Sequence, residues 1–146
     1  MKDLDKSAID ALTGAFFDAF TTRGAAELRI DTLYGLFLPD AVIIKNVDAI
    51  PTIYDVAGFI EPRRTLLTGG SIVDFSEAEV SEETAIFQNV AQRFSRYTKT
   101  WREAGVAFSG RGVKTVQYVR TAGGWRISAL AWDDEPATRI DEGVSR

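Results

Sequence analysis

The chain has 146 residues, 45% hydrophobic and 26% charged, with a formal net charge of −4, the size and composition of one ordinary folded domain. It contains no Cys and no His, which excludes disulfides, thiol nucleophiles, Ser-His-Asp triads and histidine-based zinc sites. No apolar run is long enough to span a bilayer and no block of Lys and Arg stands out, so neither a membrane nor a nucleic acid is expected as a partner.

The opening MKDLDKSAID lacks the apolar centre of a signal peptide, and together with the missing Cys this predicts a cytoplasmic protein. Leu4, Ile9, Leu12, Phe16 and Phe20 recur at helical spacing, with Asp5 or Ser7 placed to cap the start and Gly24 to end the segment. A second helix is predicted over Thr32–Phe37, capped by Asp31 and stopped by Pro39, with Leu33, Leu36 and Phe37 facing the core. Ala41–Ile44 reads as a short strand and Asn46–Thr52 as loop. Asp55 then caps a third helix, Val56–Leu67, in which Pro62 is expected to produce a bend or to leave the first turn separate. Gly69-Gly70 end it.

Strands fill the rest. Ser71–Val80 is followed by a predicted turn at Ser81-Glu82-Glu83. Three long strands come next: Thr84–Thr98, Val106–Thr121 and Trp125–Asp133. A polar loop, Lys99–Gly105, and the tight turn Ala122-Gly123-Gly124 join them. Strands linked by short turns pair antiparallel, and helices gathered on one side of such a sheet make an α+β fold. One domain is expected over residues 1–135, followed by a polar, frayed tail over 136–146.

Alternation along the strands is imperfect. Ile127, Ala129 and Ala131 point one way in the last strand, while Leu130 and Trp132 point the other. Both faces of the sheet therefore carry apolar residues, and helices can cover only one. A second copy of the chain is the expected cover for the other, giving a two-fold homodimer.

The segments FFDAFTTRG, DTLYGLFLPDAVI, RFSRY and FSGRGVKTVQYVRTAGGWRISALAWDDE resemble the nuclear transport factor 2-like superfamily over about residues 8–135, nearest its uncharacterised bacterial members and next its SnoaL-like polyketide cyclases. The resemblance implies a cystatin-like curved antiparallel sheet. Three N-terminal helices close it into a cone with an internal pocket for a small apolar or mixed-polarity ligand. Superfamily members include isomerases, dehydratases, cyclases and non-enzymatic binding modules, so fold alone does not assign an activity. The isomerase branch needs a base Asp, an oxyanion Tyr and a protonated Asp. Those positions fall near Lys45 or Asn46, Phe17 and Thr115, and none matches. The dehydratase branch uses His, which is absent.

On the same resemblance, Ser128, Leu130 and Trp132 face the cavity from the last strand. Thr115, Gln117 and Val119 face it from its neighbour, and Tyr34 and Phe37 from the second helix. Thr115 and Gln117 either line a ligand pocket or satisfy each other within a packed core. Arg93 and Tyr97 share a strand face: they either hold and protonate a substrate, or decorate a dimer surface or pair with Glu77 and Glu79. Arg111, between two glycines, reads as a bulge, and Asp133-Asp134-Glu135 as a solvated strand end. Trp101 is placed to lid the pocket or meet a partner, and Trp125 to cap the core. No cofactor and no metal is expected. Catalysis, if present, would be general acid/base work by Asp, Tyr, Lys or Arg; the alternative is capture of an apolar metabolite without turnover.

Overall fold

The computed structural model describes residues 2–140. Helix α1 spans Lys2–Asp18 and α2 spans Ala26–Thr32, continued by a 3-10 turn at Leu33–Gly35. Strand β1 (Phe37–Lys45) and the short β2 (Thr52–Tyr54) precede helix α3 (Val56–Thr68). Four long strands follow: β3 (Ile72–Phe87), β4 (Val90–Glu103), β5 (Val106–Thr121) and β6 (Gly124–Asp134). A two-residue strand, β7 (Thr138–Arg139), ends the described chain.

The strands form one curved, open, mixed sheet in the order β2-β1-β6-β5-β4-β3, with β7 paired to the start of β5. Tight connections dictate the antiparallel meander from β3 to β6. At the β4–β5 turn Ala104 and Gly105 have φ of 52° and 78°, the paired left-handed conformation that matches strand twist in a two-residue hairpin. β1, however, runs parallel to β6, pairing Ile43 with Leu130 and Lys45 with Trp132. The expected sheet is antiparallel throughout. The difference arises because α3 and four strands separate β1 from β6, so no hairpin constrains their relative direction.

The helices cover the inner face. Phe16 of α1 meets Phe37 of β1 and Phe59 of α3, Phe17 packs edge-on against Phe16, and Phe20, just past the end of α1, meets Phe16 and Phe59. Phe59 also lies edge-on to Trp132 of β6 at 5.6 Å, and Ile9, Ile30, Leu33, Ile43, Ile60, Ile127 and Leu130 fill the remaining core. Asp55 caps α3, its carboxylate accepting from the Gly58 amide at 2.7 Å, a contact worth about 1 kcal/mol. α3 continues through Pro62 without interruption.

Several expectations shift. The second helix comes earlier in the sequence, at Ala26–Thr32 rather than Thr32–Phe37, and Pro39 lies within β1. It occupies the stretch between Phe37 and Val42 where the register with β6 slips, the irregular position that a residue without N–H requires. Ser81-Glu82-Glu83 is not a turn but part of β3, beside a register shift between Glu79 and Ser81. The reversal falls at Gln88-Asn89, with Gln88 at φ 49°. Most of Lys99–Gly105 is strand, so Trp101 lies on β4 and stacks on Phe108 at 5.5 Å. Thr138–Arg139, within the predicted frayed tail, pairs with Phe108 and Ser109; residues 141–146 of that tail lie outside the described residues.

A bulge in β6 explains the imperfect alternation of the last strand. Gln117 pairs with Ala129, but Tyr118 pairs with Ile127, leaving Ser128 as the extra residue. Ile127 and Leu130 can then both point inward, 1% and 2% exposed, although they stand three positions apart, an odd offset that would otherwise place them on opposite faces.

Candidate functional site

A cavity of about 310 Å³ opens between α3 and the inner face of the sheet, lined in part by Phe59, Arg63, Glu77, Tyr97, Lys114 and Trp132. Strand pairing builds its wall. Lys114 of β5 lies opposite Trp132 of β6, and Gly112 opposite both Tyr97 of β4 and Asp134 of β6. Residues directly opposite in a ladder share a face, so these side chains enter together. Helix α3 roofs them with Phe59, Pro62, Arg63, Leu66 and Leu67.

Lys114 sits at the centre. It is 6% exposed, and its ammonium lies 3.8 Å from the Tyr97 ring centroid and 5.1 Å from that of Trp132. Its counter-charge is Glu77 of β3, with Nζ–Oε1 at 3.0 Å and both side chains 8% exposed. The approach is off the line of a hydrogen bond, and Oε1 has no aligned donor among the described residues. Burial pushes the Lys114 amine below its usual range, against the pull of Glu77. Desolvation dominates because the aromatic walls replace water as the ammonium's surroundings.

A second polar group adjoins the first. Tyr97 is 2% exposed and donates its hydroxyl to Asp134, while Lys99 reaches the other carboxylate oxygen at 3.2 Å. Burial, reinforced by Asp134, pushes the phenol well above its ordinary value, so Tyr97 stays protonated. Gly112 makes this contact possible. A Cβ there would lie 2.4 Å from the Asp133 carbonyl, 2.7 Å from an Asp134 carboxylate oxygen and 2.8 Å from the Tyr97 hydroxyl. Gly110 and Gly112 lie in regular register with β4, so the expected bulge at Arg111 is absent: glycine serves the close approach instead.

Arg63 closes the cavity from above. Its guanidinium stacks 4.2 Å from the Phe59 ring and donates to the Phe59 carbonyl at 3.0 Å. Among the described residues no carboxylate pairs with it. Burial pushes its pKa down. With Lys45 at the rim, the cavity holds four cationic side chains against the carboxylates of Glu77 and Asp134.

The predicted site residues separate into groups. Leu130 and Trp132 point inward, as does Tyr97, and Trp132 and Tyr97 reach the cavity. Arg93 points inward too but is committed elsewhere. Both of its ends pair with Glu79, at 3.0 and 2.5 Å, and it reaches Asp10 of α1 at 2.7 Å. Thr115 and Gln117 are exposed on the outer face, with Thr115 opposite Phe94 and Gln117 opposite Gln92. Inward-facing Leu130 and Trp132 have Val116 and Lys114 as their partners, which fixes the opposite parity for Thr115 and Gln117. Tyr34 is 42% exposed and donates to Glu61. The earlier end of α2 gives the core position to Leu33, which is wholly buried. Asp134 is not part of a solvated end: only Asp133 and Glu135 on either side of it are exposed.

Lys114 and Glu77 are the residues that sequence reasoning overlooked as cavity groups. A signal existed for the lysine, which shares its strand face with Val116 and Tyr118, both buried. Among the described residues no group of three acidic side chains could hold a metal ion. Among the described residues no helix is long and apolar enough to cross a membrane.

No protein-family model and no curated protein matches the sequence. Solved structures do match its shape. A hexachlorocyclohexane dehydrochlorinase, LinA-type3 from Novosphingobium barchaimii, superposes with a TM-score of 0.75 at 17% identity, covering 97% of this chain and 96% of its own. A protein provisionally described as a scytalone dehydratase, from Novosphingobium aromaticivorans, gives 0.76 at 12% identity with 100% of both chains covered. An NTF-2 like protein of unknown function from Silicibacter pomeroyi gives 0.62 at 17% identity, covering 92% and 99%. At such identities the likeness is one of fold. The chain has the nuclear transport factor 2-like α+β fold, an open cone of curved sheet and three helices.

Proposed function

We propose that the protein is a small-molecule enzyme of the acid/base kind, an isomerase or lyase that moves a proton at a carbon next to a carbonyl group. The observation that carries this reading is the Lys114–Glu77 pair at the wall of an aromatic cavity. A buried ion pair contributes little net stability compared with apolar residues of equal volume, whereas proton-transfer groups require such surroundings. Glu77 offers a carboxylate oxygen without an aligned donor, the form a general base takes. Lys114 offers the adjacent positive charge that stabilises an enolate. Tyr97, Asp134 and Lys99 hold one another and shape the wall beside the pair.

The test is hydrogen exchange of phenylacetone in heavy water, followed by NMR. Wild-type protein is expected to exchange the hydrogens next to the carbonyl, and Glu77→Gln to lose about 100-fold or more of that rate, the usual share of a general base. Equal rates in both proteins would remove Glu77 from the role, and no exchange above buffer would leave capture without turnover as the function.

The assembly read from the sequence belongs to the same proposal. The outer face exposes Val42, Val90 and Phe94, and Arg96 lies over the Phe94 ring at 4.8 Å. A two-fold dimer through this face would cover them, given the roughly 800 Å² per partner that stable interfaces bury. Sedimentation equilibrium at micromolar concentration should return twice the chain mass; a monomer would refute the assignment.

A further inference from the structure

We infer that Lys114 acts covalently, forming an iminium with aldehyde or ketone ligands that enter the cavity. The inference rests on the proposed use of this cavity as a small-molecule site and assigns it a substrate class: carbonyl compounds with an apolar body. Three observations point the same way. The Lys114 side chain lines the cavity rather than the solvent surface. Its surroundings are the faces of Phe16, Phe17, Tyr97 and Trp132, at 3.8–5.9 Å. A further cation, Lys99, faces the same cavity. Apolar walls and a neighbouring cation both favour the neutral amine, the nucleophilic form, and burial does hold this amine below its usual range.

Glu77 completes the chemistry, its Oε1 lying 3.0 Å from the Lys114 nitrogen. The ammonium first gives a proton to Glu77. The freed nitrogen pair attacks the carbonyl carbon, so the C–N bond forms and the carbonyl π pair moves to oxygen. One proton passes from nitrogen to that oxygen, giving the carbinolamine. Glu77 returns its proton to the hydroxyl, water leaves, and the nitrogen pair closes the C=N bond. Ammonium plus carbonyl has become iminium plus water, with Glu77 regenerated as carboxylate. The iminium then acidifies a neighbouring C–H, and the same carboxylate is placed to remove that proton.

The experiment uses the full chain with benzaldehyde and cyanoborohydride, which reduces an iminium to a stable secondary amine. Peptide mapping by mass spectrometry locates the added benzyl group among the five lysines of the sequence. The expected result is benzylation of Lys114 in about tenfold or greater excess over any other lysine, as a desolvated amine should show. The double variant Glu77→Gln/Lys114→Met, which leaves no unpaired buried charge, gives the background at the remaining lysines. Label spread evenly over the lysines, or absent from Lys114, overturns the inference. Exchange of phenylacetone without trapping at Lys114 removes the covalent step and leaves the acid/base reading intact. Trapping at Lys114 without exchange supports the covalent step and removes the acid/base reading.

Discussion

Lys114→Met is expected to destabilise the protein by about 3–5 kcal/mol, because it strands the Glu77 carboxylate in a cavity wall with no counter-charge. Glu77 is 8% exposed, and water cannot easily replace the lost ammonium. Glu77→Gln/Lys114→Met should behave in the opposite way. With both charges gone, the methionine fills the lysine's volume among Phe16, Phe17, Tyr97 and Trp132. Such replacements are neutral or stabilising by about 1–4 kcal/mol. Urea unfolding of the three proteins measures this directly. A single variant as stable as wild type would mean that the pair is solvated, and the proposed site would lose its physical basis.

The same pair sets a pH dependence. In the folded chain the Lys114 amine titrates below its unfolded value of 10.5. Between the two values the unfolded state binds more protons, so stability rises with pH across that window. Below the folded value the whole cost of burying the ammonium is present. Tyr97 and Tyr118 act in the reverse direction at the alkaline end, since burial raises both phenols, that of Tyr118 to about 12. The double variant retains the tyrosines. The difference in melting temperature between wild type and double variant should therefore shrink as pH rises toward 10.5. A difference that stays constant with pH would show that the amine titrates normally.

Arg93→Met should cost a comparable amount, about 3–5 kcal/mol, but for a structural reason. Arg93 is 4% exposed. Its guanidinium grips Glu79 at two points and also reaches Asp10 and Thr84. Ser95 donates to the same Glu79 carboxylate at 2.5 Å, and Lys6 holds Asp10 and Glu82 at 2.9 and 3.0 Å. The network clamps α1 onto β3 and β4. Burial alone would raise the Asp10 carboxyl, but hydrogen bonds from Arg93 and Lys6 hold it below the usual carboxylate range. Its share of stability is therefore present above the unfolded value of 3.8 and is lost as pH falls through the lower folded one. Arg93→Lys should recover only part of the loss, because an ammonium cannot make the two-point contact with Glu79. Full recovery by lysine would show that charge, not fork geometry, holds the helix. Turnover per folded molecule should survive in Arg93→Lys, since this network stands apart from the cavity wall.

The architecture was legible in the chain because it depends on local signals. The α1 stripe of Ile9, Leu12 and Phe16, the Asp55 cap and the closely spaced turns of the meander are each written within a few residues. Those signals suffice for helices over a curved sheet. The parity of the strands was not legible, because it depends on long-range register. A bulge at Ser128 inserts one residue into β6, and a one-residue slip exchanges the two faces. Counted from the hairpin without the bulge, Thr115 and Gln117 fall on the inner face, whereas Lys114 and Val116 are the residues that face the core. The expected turn at Ser81-Glu82-Glu83 has a similar origin, since three polar residues look like a turn unless their pairing with Arg96, Ser95 and Phe94 is known.

By itself the sequence determined an α+β domain without Cys or His, and so required that any proton transfer be done by carboxylate, phenol, amine or guanidinium. Only the tertiary structure decided which of these share a cavity. Glu77 and Lys114 lie 37 residues apart on strands that are not neighbours in the sheet. They meet because the sheet curves, bringing side chains from β3 and β5 together across β4. Curvature is a property of the whole sheet, and no window of residues along the chain contains it.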